Sequence, residues 1–136
     1  MQIEWLVLAD SAQIVGNKLY LLGGGWDVLT VGSGLPVQQR CAVAASYRVP
    51  WNETNEKHSV DIEVADEDGQ VLARVSGQVE VGRPTGIPPG TDQRAQIAAE
   101  LVLNLEKAGS FAVIARIEGA EVERTPFRVV LPAPGA

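Results

Sequence analysis

The sequence contains few side chains that could do chemistry, and His58 and Cys41 are the only members of their residue types. A serine- or cysteine-type hydrolase needs a histidine base beside its nucleophile, so any such site would have to use His58. No nucleophile motif surrounds Cys41, which lies within an apolar run. We therefore expect Cys41 to be a buried structural thiol and His58 to be a surface or strand-end residue, and we predict no catalytic residues.

Acidic residues could support a different kind of chemistry, because residues 66–68 read Asp-Glu-Asp. Asp27 or Asp92 could join this turn if the loops meet at one end of the domain. Calcium takes six to eight oxygen ligands, but the chain lacks a complete calcium-loop motif, and aspartates are common in turns for conformational reasons. We predict no metal and no cofactor, and we keep Asp66, Asp68 and Asp27 as an alternative calcium site.

Two polar segments carry residues that are typical of protein interfaces. Trp51 begins a polar stretch that ends at His58, and Arg83 and Ile87 lie in a segment rich in proline and glycine, 82–91. Tryptophan and arginine anchors dominate binding energy at interfaces, and loops at the end of a rigid domain often bind partners. We predict these four residues as an interaction surface. The alternative is that Trp51 folds back over the end of the domain.

The glycine run Gly23-Gly24-Gly25 could either cradle a phosphate or bend a strand. A phosphate-binding loop needs Lys-Ser or Lys-Thr and a helix after its last glycine, whereas Trp26-Asp27 follows here. A carboxylate at Asp27 would also repel phosphate. The run therefore predicts a strand kink.

The length, amino-acid composition and net charge of the chain argue against several classes of function. At 136 residues the chain fits one domain, and its 46% hydrophobic content excludes disorder. The net charge of −6 disfavours nucleic acid and anionic membrane, since both attract clustered Lys and Arg. Aromatic residues make up 5%, too few to line a sugar cleft. No secretory leader or membrane-length apolar run precedes the first strand, so a cytoplasmic location is predicted.

Alternation of apolar and polar residues predicts about eight antiparallel strands, with no strong helix. Turn signals separate them at Gly16-Asn17, Asp68-Gly69 and Glu118-Gly119, and longer loops are expected at 27–36 and 82–91. The predicted strands span residues 3–9, 18–22, 40–49, 60–65, 70–81, 96–107, 111–117 and 122–131.

The stretch 96–107 is ambiguous. Its alanine and glutamate content and the spacing of Ile97, Leu101 and Leu105 suit a helix, yet the apolar residues also alternate as in a strand. The neighbouring strands favour a strand, and the helix remains the alternative.

Three motifs carry a resemblance to a known family: LADSAQIVGNKLYLLGGGWD from Leu8, VPWNETNEKHSVDIEVADEDG from Val49, and VGRP from Val81. Together they resemble an uncharacterised family of small bacterial proteins with a domain of unknown function, over about residues 6–119. The resemblance implies a β-sandwich and a bacterial source. It implies no activity and no catalytic residue.

The sequence thus predicts an all-β, single-domain antiparallel β-sandwich, jelly-roll-like, over residues 1–131, with a flexible tail at 132–136. We expect a non-enzymatic binding or assembly module that uses end loops or edge strands to bind a protein partner or a second copy, as a homodimer or larger oligomer. One alternative is a small-ligand or calcium-binding sandwich that uses the acidic turn with Trp26 or Trp51. The other is an enzyme of unrecognised type with His58 as its base.

Overall fold

The computed structural model describes residues 1–32 and 34–133, which form nine β-strands and a single 3₁₀ turn, Trp51–Glu53. Of the predicted tail, residues 132 and 133 follow the last strand without regular structure, and 134–136 lie outside the described residues. The strands are β1 (Gln2–Val15), β2 (Lys18–Gly24), β3 (Val28–Thr30), β4 (Val37–Val49), β5 (His58–Asp66), β6 (Val71–Val79), β7 (Gln93–Leu105), β8 (Gly109–Ile117) and β9 (Ala120–Val130).

The strands form two sheets, in the orders β2-β1-β4-β7 and β3-β9-β8-β5-β6. Every neighbouring pair is antiparallel except β3 and β9, so the predicted β-sandwich is confirmed. The described chain has one strand more than the eight expected. The additional strand is β3, within the stretch 27–36 that was predicted as a loop. Its three residues pair with Arg128–Val130, and a local pattern cannot reveal such a distant partner.

The core lies between the sheets, and the alternation predicted for β4 decides which side chains enter it. The inward side chains of β4 meet those of β5 and β8 from the opposite sheet, as expected for face-to-face packing. The buried inward residues of β4 are Cys41, Val43, Ala45, Tyr47 and Val49. Facing them are Val60, Ile62 and Val64 of β5 and Val113 and Ala115 of β8.

The ambiguous stretch is a strand, as the neighbouring strands had indicated. All thirteen residues of β7 pair with β4 in one unbroken register, from Gln93 opposite Val49 to Leu105 opposite Val37. Helix-favouring residues are tolerated here because strand preference is set mainly by pairing and burial, not by the isolated residue.

A hairpin arm, residues 10–24, covers the outer face of the four-stranded sheet. β1 pairs with β4 only as far as Ala9, and its second half pairs with β2 alone. In that second half, the Ser11 hydroxyl lies 3.1 Å from Oε1 of Glu100. Glu100 is on β7, the strand on the far side of β4. At the tip, the Gln96 side chain donates to the carbonyl of Asn17 over 3.3 Å. The arm therefore crosses β4 and reaches β7.

Small side chains make this close approach possible. Ala42 and Ala44 point outward from β4, yet both have no exposed surface, because the arm packs over them. The arm contributes Ala12, Leu19 and Leu21 to this outer apolar cluster. β4 is consequently buried on both faces.

The glycine run ends the arm, and its geometry agrees with the predicted kink. Gly23 and Gly25 have φ of 60° and 83°, which favour glycine. A side chain at Gly23 would collide with the carboxylate of Asp10. The N–H of Gly25 donates to the Leu8 carbonyl over 2.8 Å, and this bond continues the pairing of β2 with β1 past Gly24.

Enlarging a residue beneath the arm should therefore destabilise the domain. We expect Ala44→Leu to lower the free energy of unfolding by about 1–3 kcal/mol, because overpacking forces the arm off the sheet. Denaturant unfolding measures this change. Ala120→Leu is the matched control at an exposed position and should shift stability by less than about 0.5 kcal/mol. Equal losses in both variants would contradict the burial of Ala44.

Candidate functional site

The end loops bring Trp51 and Arg83 together. The Arg83 guanidinium lies 4.1 Å from the centre of the Trp51 ring, in a cation–π contact. Its Nη2 also donates to the Trp51 carbonyl over 2.9 Å, and its Nε donates to the Thr54 hydroxyl over 2.7 Å. Both predicted anchors are thus joined to each other across the two end loops.

His58 is attached to the same end of the sandwich, but it is buried. Its Nε2 lies 2.9 Å from the carbonyl of Glu53, and its Nδ1 is 3.9 Å from the Glu118 carboxylate. The residue is 7% exposed and begins β5, so it lies at a strand end, one of the two expected positions, and differs from the other, a surface position. It differs because the 3₁₀ turn folds back and offers the ring a carbonyl partner. His58 therefore fixes the turn to the start of β5.

Ile87 is half-buried in its own turn, which the N–H of Ile87 closes with the Pro84 carbonyl over 3.3 Å. Trp51, Arg83 and His58 thus belong to one cluster around the 3₁₀ turn, and Ile87 lies in the adjoining loop. The cluster is held by contacts within the chain.

Cys41 is buried on the inner face of β4, with 2% of its surface exposed. Burial, with a smaller contribution from the charge of Asp10, raises the pKa of its thiol to about 11. A thiol that stays protonated at neutral pH is a poor nucleophile. Its position agrees with a structural role.

The acidic turn is organised around Asp66 and is closed by its own backbone. The Asp66 carboxylate accepts the N–H groups of Gln70, over 2.8 Å, and Asp68, over 2.9 Å, and these bonds hold its pKa below the usual range. Lys107 lies 2.9 Å from Asp68 and 3.4 Å from Asp66. A side-chain cation therefore already occupies the place between the two carboxylates.

Asp27 does not join this turn to form a metal-binding group. Within residues 1–32 and 34–133, no three His, Cys, Asp or Glu side chains lie close enough together to hold a metal ion. Asp27 instead offers its backbone carbonyl to the N–H of Arg128 over 2.8 Å, beside the parallel β3–β9 pair.

A buried carboxylate, Glu63, organises the outer face of the five-stranded sheet. Arg74 and Arg116 donate to it over 2.8 and 2.9 Å, and the bond from Arg74 contributes most to lowering its pKa. A groove of about 600 Å³ lies beside this cluster, and its lining includes Glu63, Ile114 and Arg124. These arginines are neutralised by carboxylates within the chain, since Arg124 pairs with Glu121.

Glu4 plays the matching role on the four-stranded sheet. It accepts hydrogen bonds from Arg94 over 2.6 and 3.1 Å, from the Ser46 hydroxyl over 2.7 Å, and from Arg48 over 3.1 Å. These bonds, Arg94 first, lower the pKa of Glu4 to about 2 against the opposing effect of burial. The cluster joins the three long strands β1, β4 and β7 at one end.

The free edge of β7 is the largest unpaired backbone surface of this sheet. Among the described residues, no strand and no loop backbone pairs with the side of β7 that faces away from β4. The strand carries neither a bulge nor a proline, two devices that commonly protect such edges. Its backbone N–H and C=O groups can therefore pair with another extended chain.

An open seam adjoins this edge. β6 is the last strand of the other sheet and lies beside β7 without hydrogen-bonded pairing. The apolar side chains that point inward from the two strands are only half-buried here, unlike those in the centre of the core. They are Leu72, Ala73 and Val75 of β6 and Ala95, Ile97 and Ala99 of β7.

The sequence pattern missed the residues that shape this edge. Arg94 and Glu100 both point outward from β7, but they share a face only if the stretch is a strand, which composition left open. Glu4 gave a weak signal as one acidic residue in an otherwise apolar first strand.

The comparisons place the chain in a family. Residues 4–130 match a family of unknown function (DUF6941). The chain belongs to this family. No curated protein matches the sequence. None of the described residues forms a helix with the length and hydrophobicity needed to cross a membrane.

One solved structure with a similar part is the Pseudomonas fluorescens alkylpurine DNA glycosylase AlkC bound to DNA containing an abasic site analog. The likeness has a TM-score of 0.42 at 11% sequence identity, over 91% of this chain and 30% of that chain. The chain thus spans under a third of the glycosylase, and so distant a likeness says nothing about activity.

Removing the arginine should loosen the end loops. We expect Arg83→Ala to cost about 1–2 kcal/mol, because it deletes the cation–π contact and two hydrogen bonds. Hydrogen exchange should accelerate at residues 51–54 in particular. Arg83→Lys keeps the charge but loses the forked donors, so it should recover little of the protection. Unchanged exchange in Arg83→Ala would contradict the contact.

Glu4 should make the domain sensitive to acid. Its pKa falls from 4.5 to about 2 on folding, so its stabilising contribution is complete above pH 4.5 and is lost as the pH falls toward 2. The measurement is the free energy of unfolding between pH 2 and pH 6. We expect Glu4→Gln to be less stable than the original chain at pH 6, with a shallower loss in acid. Parallel curves for the two proteins would show that the Glu4 cluster contributes nothing.

Proposed function

We propose that this protein is a non-enzymatic binding or assembly module that pairs with an extended strand along the free edge of β7. The observation that carries the proposal is the thirteen-residue edge itself, in unbroken register with β4 and without a partner on its other side within the described residues. An edge of this kind adds a strand from another chain through main-chain hydrogen bonds.

The open seam supports the same use of the surface. Main-chain bonds supply affinity in strand addition, and alternate side chains supply specificity. Ala95, Ile97 and Ala99 on β7 would gain burial from an added strand. Val102 is 45% exposed on the opposite face of β7. Both faces of the edge can therefore contribute apolar contacts.

The alternatives receive less support from the geometry. A base at His58 would need to leave its carbonyl partner, and a calcium ion at Asp66 and Asp68 would need to displace Lys107. Trp26 packs edge-on against Phe127, 5.8 Å away, so it contributes to the core and not to a surface ligand site. The end loops could add a second contact surface through the exposed side of Arg83.

The acidic net charge supports a protein partner or a second copy over nucleic acid or an anionic membrane. We propose that the protein binds this partner in the bacterial cytoplasm. The family resemblance implies the bacterial source, and the sequence predicts the cytoplasmic location.

Photo-crosslinking from β7 tests the proposal. A photoreactive phenylalanine analogue at Val102, in the protein expressed in bacterial cells, should form an adduct, because Val102 lies on the edge strand. Mass spectrometry of the purified adduct then identifies the attached peptide.

The matched control replaces Val122, a valine on β9 with 38% exposure, by the same analogue. We expect adducts from position 102 well above those from position 122. Equal yields from both positions, or adducts from position 122 alone, would overturn the use of the β7 edge.

A further inference from the structure

We infer that the strand added to β7 is β7 of a second copy of this chain, antiparallel and centred on Ile97. The inference rests on the proposed use of the β7 edge and adds both the identity of the partner and the register. In such a dimer, a two-fold axis passes beside Ile97, and two four-stranded sheets join into one continuous sheet.

Charge complementarity fixes the register. Arg94 and Glu100 lie three residues to either side of Ile97 and point to the same outer face of β7. When Ile97 faces Ile97 of the other copy, Arg94 faces the partner's Glu100, and the symmetry makes this ion pair twice. Directly opposite side chains in antiparallel strands lie close enough to interact, and opposite charges favour the pairing.

Other symmetric registers lose this match. With Ala99 at the centre, Arg94 faces the partner's Asn104. With Ala98 at the centre, Arg94 faces the partner's Val102 and Glu100 faces the partner's Gln96. Within β7, the register centred on Ile97 is the one that places an arginine opposite a carboxylate.

Burial points to the same centre. Along the inward face of β7, Ala95, Ile97 and Ala99 are half-buried, whereas Leu101 and Leu103 are already buried by the chain's own core. The half-buried run is symmetric about Ile97, so the paired strands would cover the apolar side chains that the isolated chain leaves in contact with water.

Both charged groups retain capacity for the new contact. Arg94 donates to Glu4 through Nε and Nη2, and within the described residues its Nη1 makes no hydrogen bond. Glu100 accepts the Ser11 hydroxyl at Oε1 only, again within those residues. Arg94 has 52% of its side chain exposed, so its guanidinium is accessible to a partner's carboxylate although it extends across β4 to Glu4.

A charge-exchange experiment tests the pairing. The wild-type chain should form a concentration-dependent dimer by sedimentation equilibrium at low salt, where charge pairing is least screened. Arg94→Glu and Glu100→Arg should each weaken that dimer about ten-fold or more, because each variant places like charges opposite one another twice. Arg128→Glu is the control for Arg94→Glu, since it makes the same change in charge on β9, away from the edge.

Mixing the two variants gives the decisive result. Arg94→Glu and Glu100→Arg are complementary to each other, so an equimolar mixture should form a heterodimer that neither variant forms with itself. Native mass spectrometry resolves this species by its mass. Circular dichroism confirms that each variant is folded, and Glu100→Arg leaves the Glu4 cluster intact if Arg94→Glu proves unstable.

The outcomes separate this inference from the proposed function. A monomeric wild-type chain whose position 102 still crosslinks to a different protein would overturn self-pairing and keep the β7 edge as a binding site. A dimer unaffected by either charge reversal, or a mixture without heterodimer, would overturn the register centred on Ile97. Absence of both dimer and crosslink would overturn both proposals.

Discussion

The burial of β4 on both faces is the constraint from which the rest of the architecture follows. Its inward residues enter the core between the sheets, and its outward alanines lie beneath the hairpin arm. A strand buried twice must have strands on both sides, because water cannot satisfy its backbone groups. β1 and β7 occupy those places. β7 is therefore the last strand on its side of the sheet and has a free edge.

Two clusters of arginine and carboxylate hold the outer faces of the sheets. Glu4 joins three strands of one sheet, and Glu63 joins β5 to its two neighbours in the other. In each cluster a partly or fully buried carboxylate receives more than one charge-assisted bond, which is the arrangement that offsets desolvation. The clusters therefore fix the strands laterally and contribute little surface for foreign anions.

The sequence predicted the strands and turns that are determined by residues close together along the chain. Alternation along β4 was sufficient to place that strand, and the Asp68-Gly69 turn was sufficient to place the β5–β6 hairpin. β3 could not be predicted, since its three residues are a strand only because β9 lies beside them. The contact between Trp51 and Arg83 could not be predicted either, because the two residues are 32 residues apart along the chain.

The sequence could predict which kinds of surface bind a partner, but not where in the fold the binding surface lies. The sequence indicated edge strands and end loops as the surfaces that could bind, but naming the edge requires the strand order. Arg94 and Glu100 are relevant to strand pairing because they share one face of β7. The shared face could be recognised only once the segment, whose composition also suits a helix, was known to be a strand. The burial of His58 likewise follows from the fold-back of the 3₁₀ turn, which no local pattern indicates.

The parallel pairing of β3 with β9 has a consequence for how the protein is made. Val28 pairs with Arg128, and β4 pairs with β7, so both contacts join segments that are far apart along the chain. Sequence-distant pairings of this kind slow folding, because the loop must close before any contact rewards it. During synthesis, β3 and the outer edge of β4 would therefore stay unpaired until β9 and β7 have emerged from the ribosome, so the two sheets are completed only once the last strand of the domain has been made.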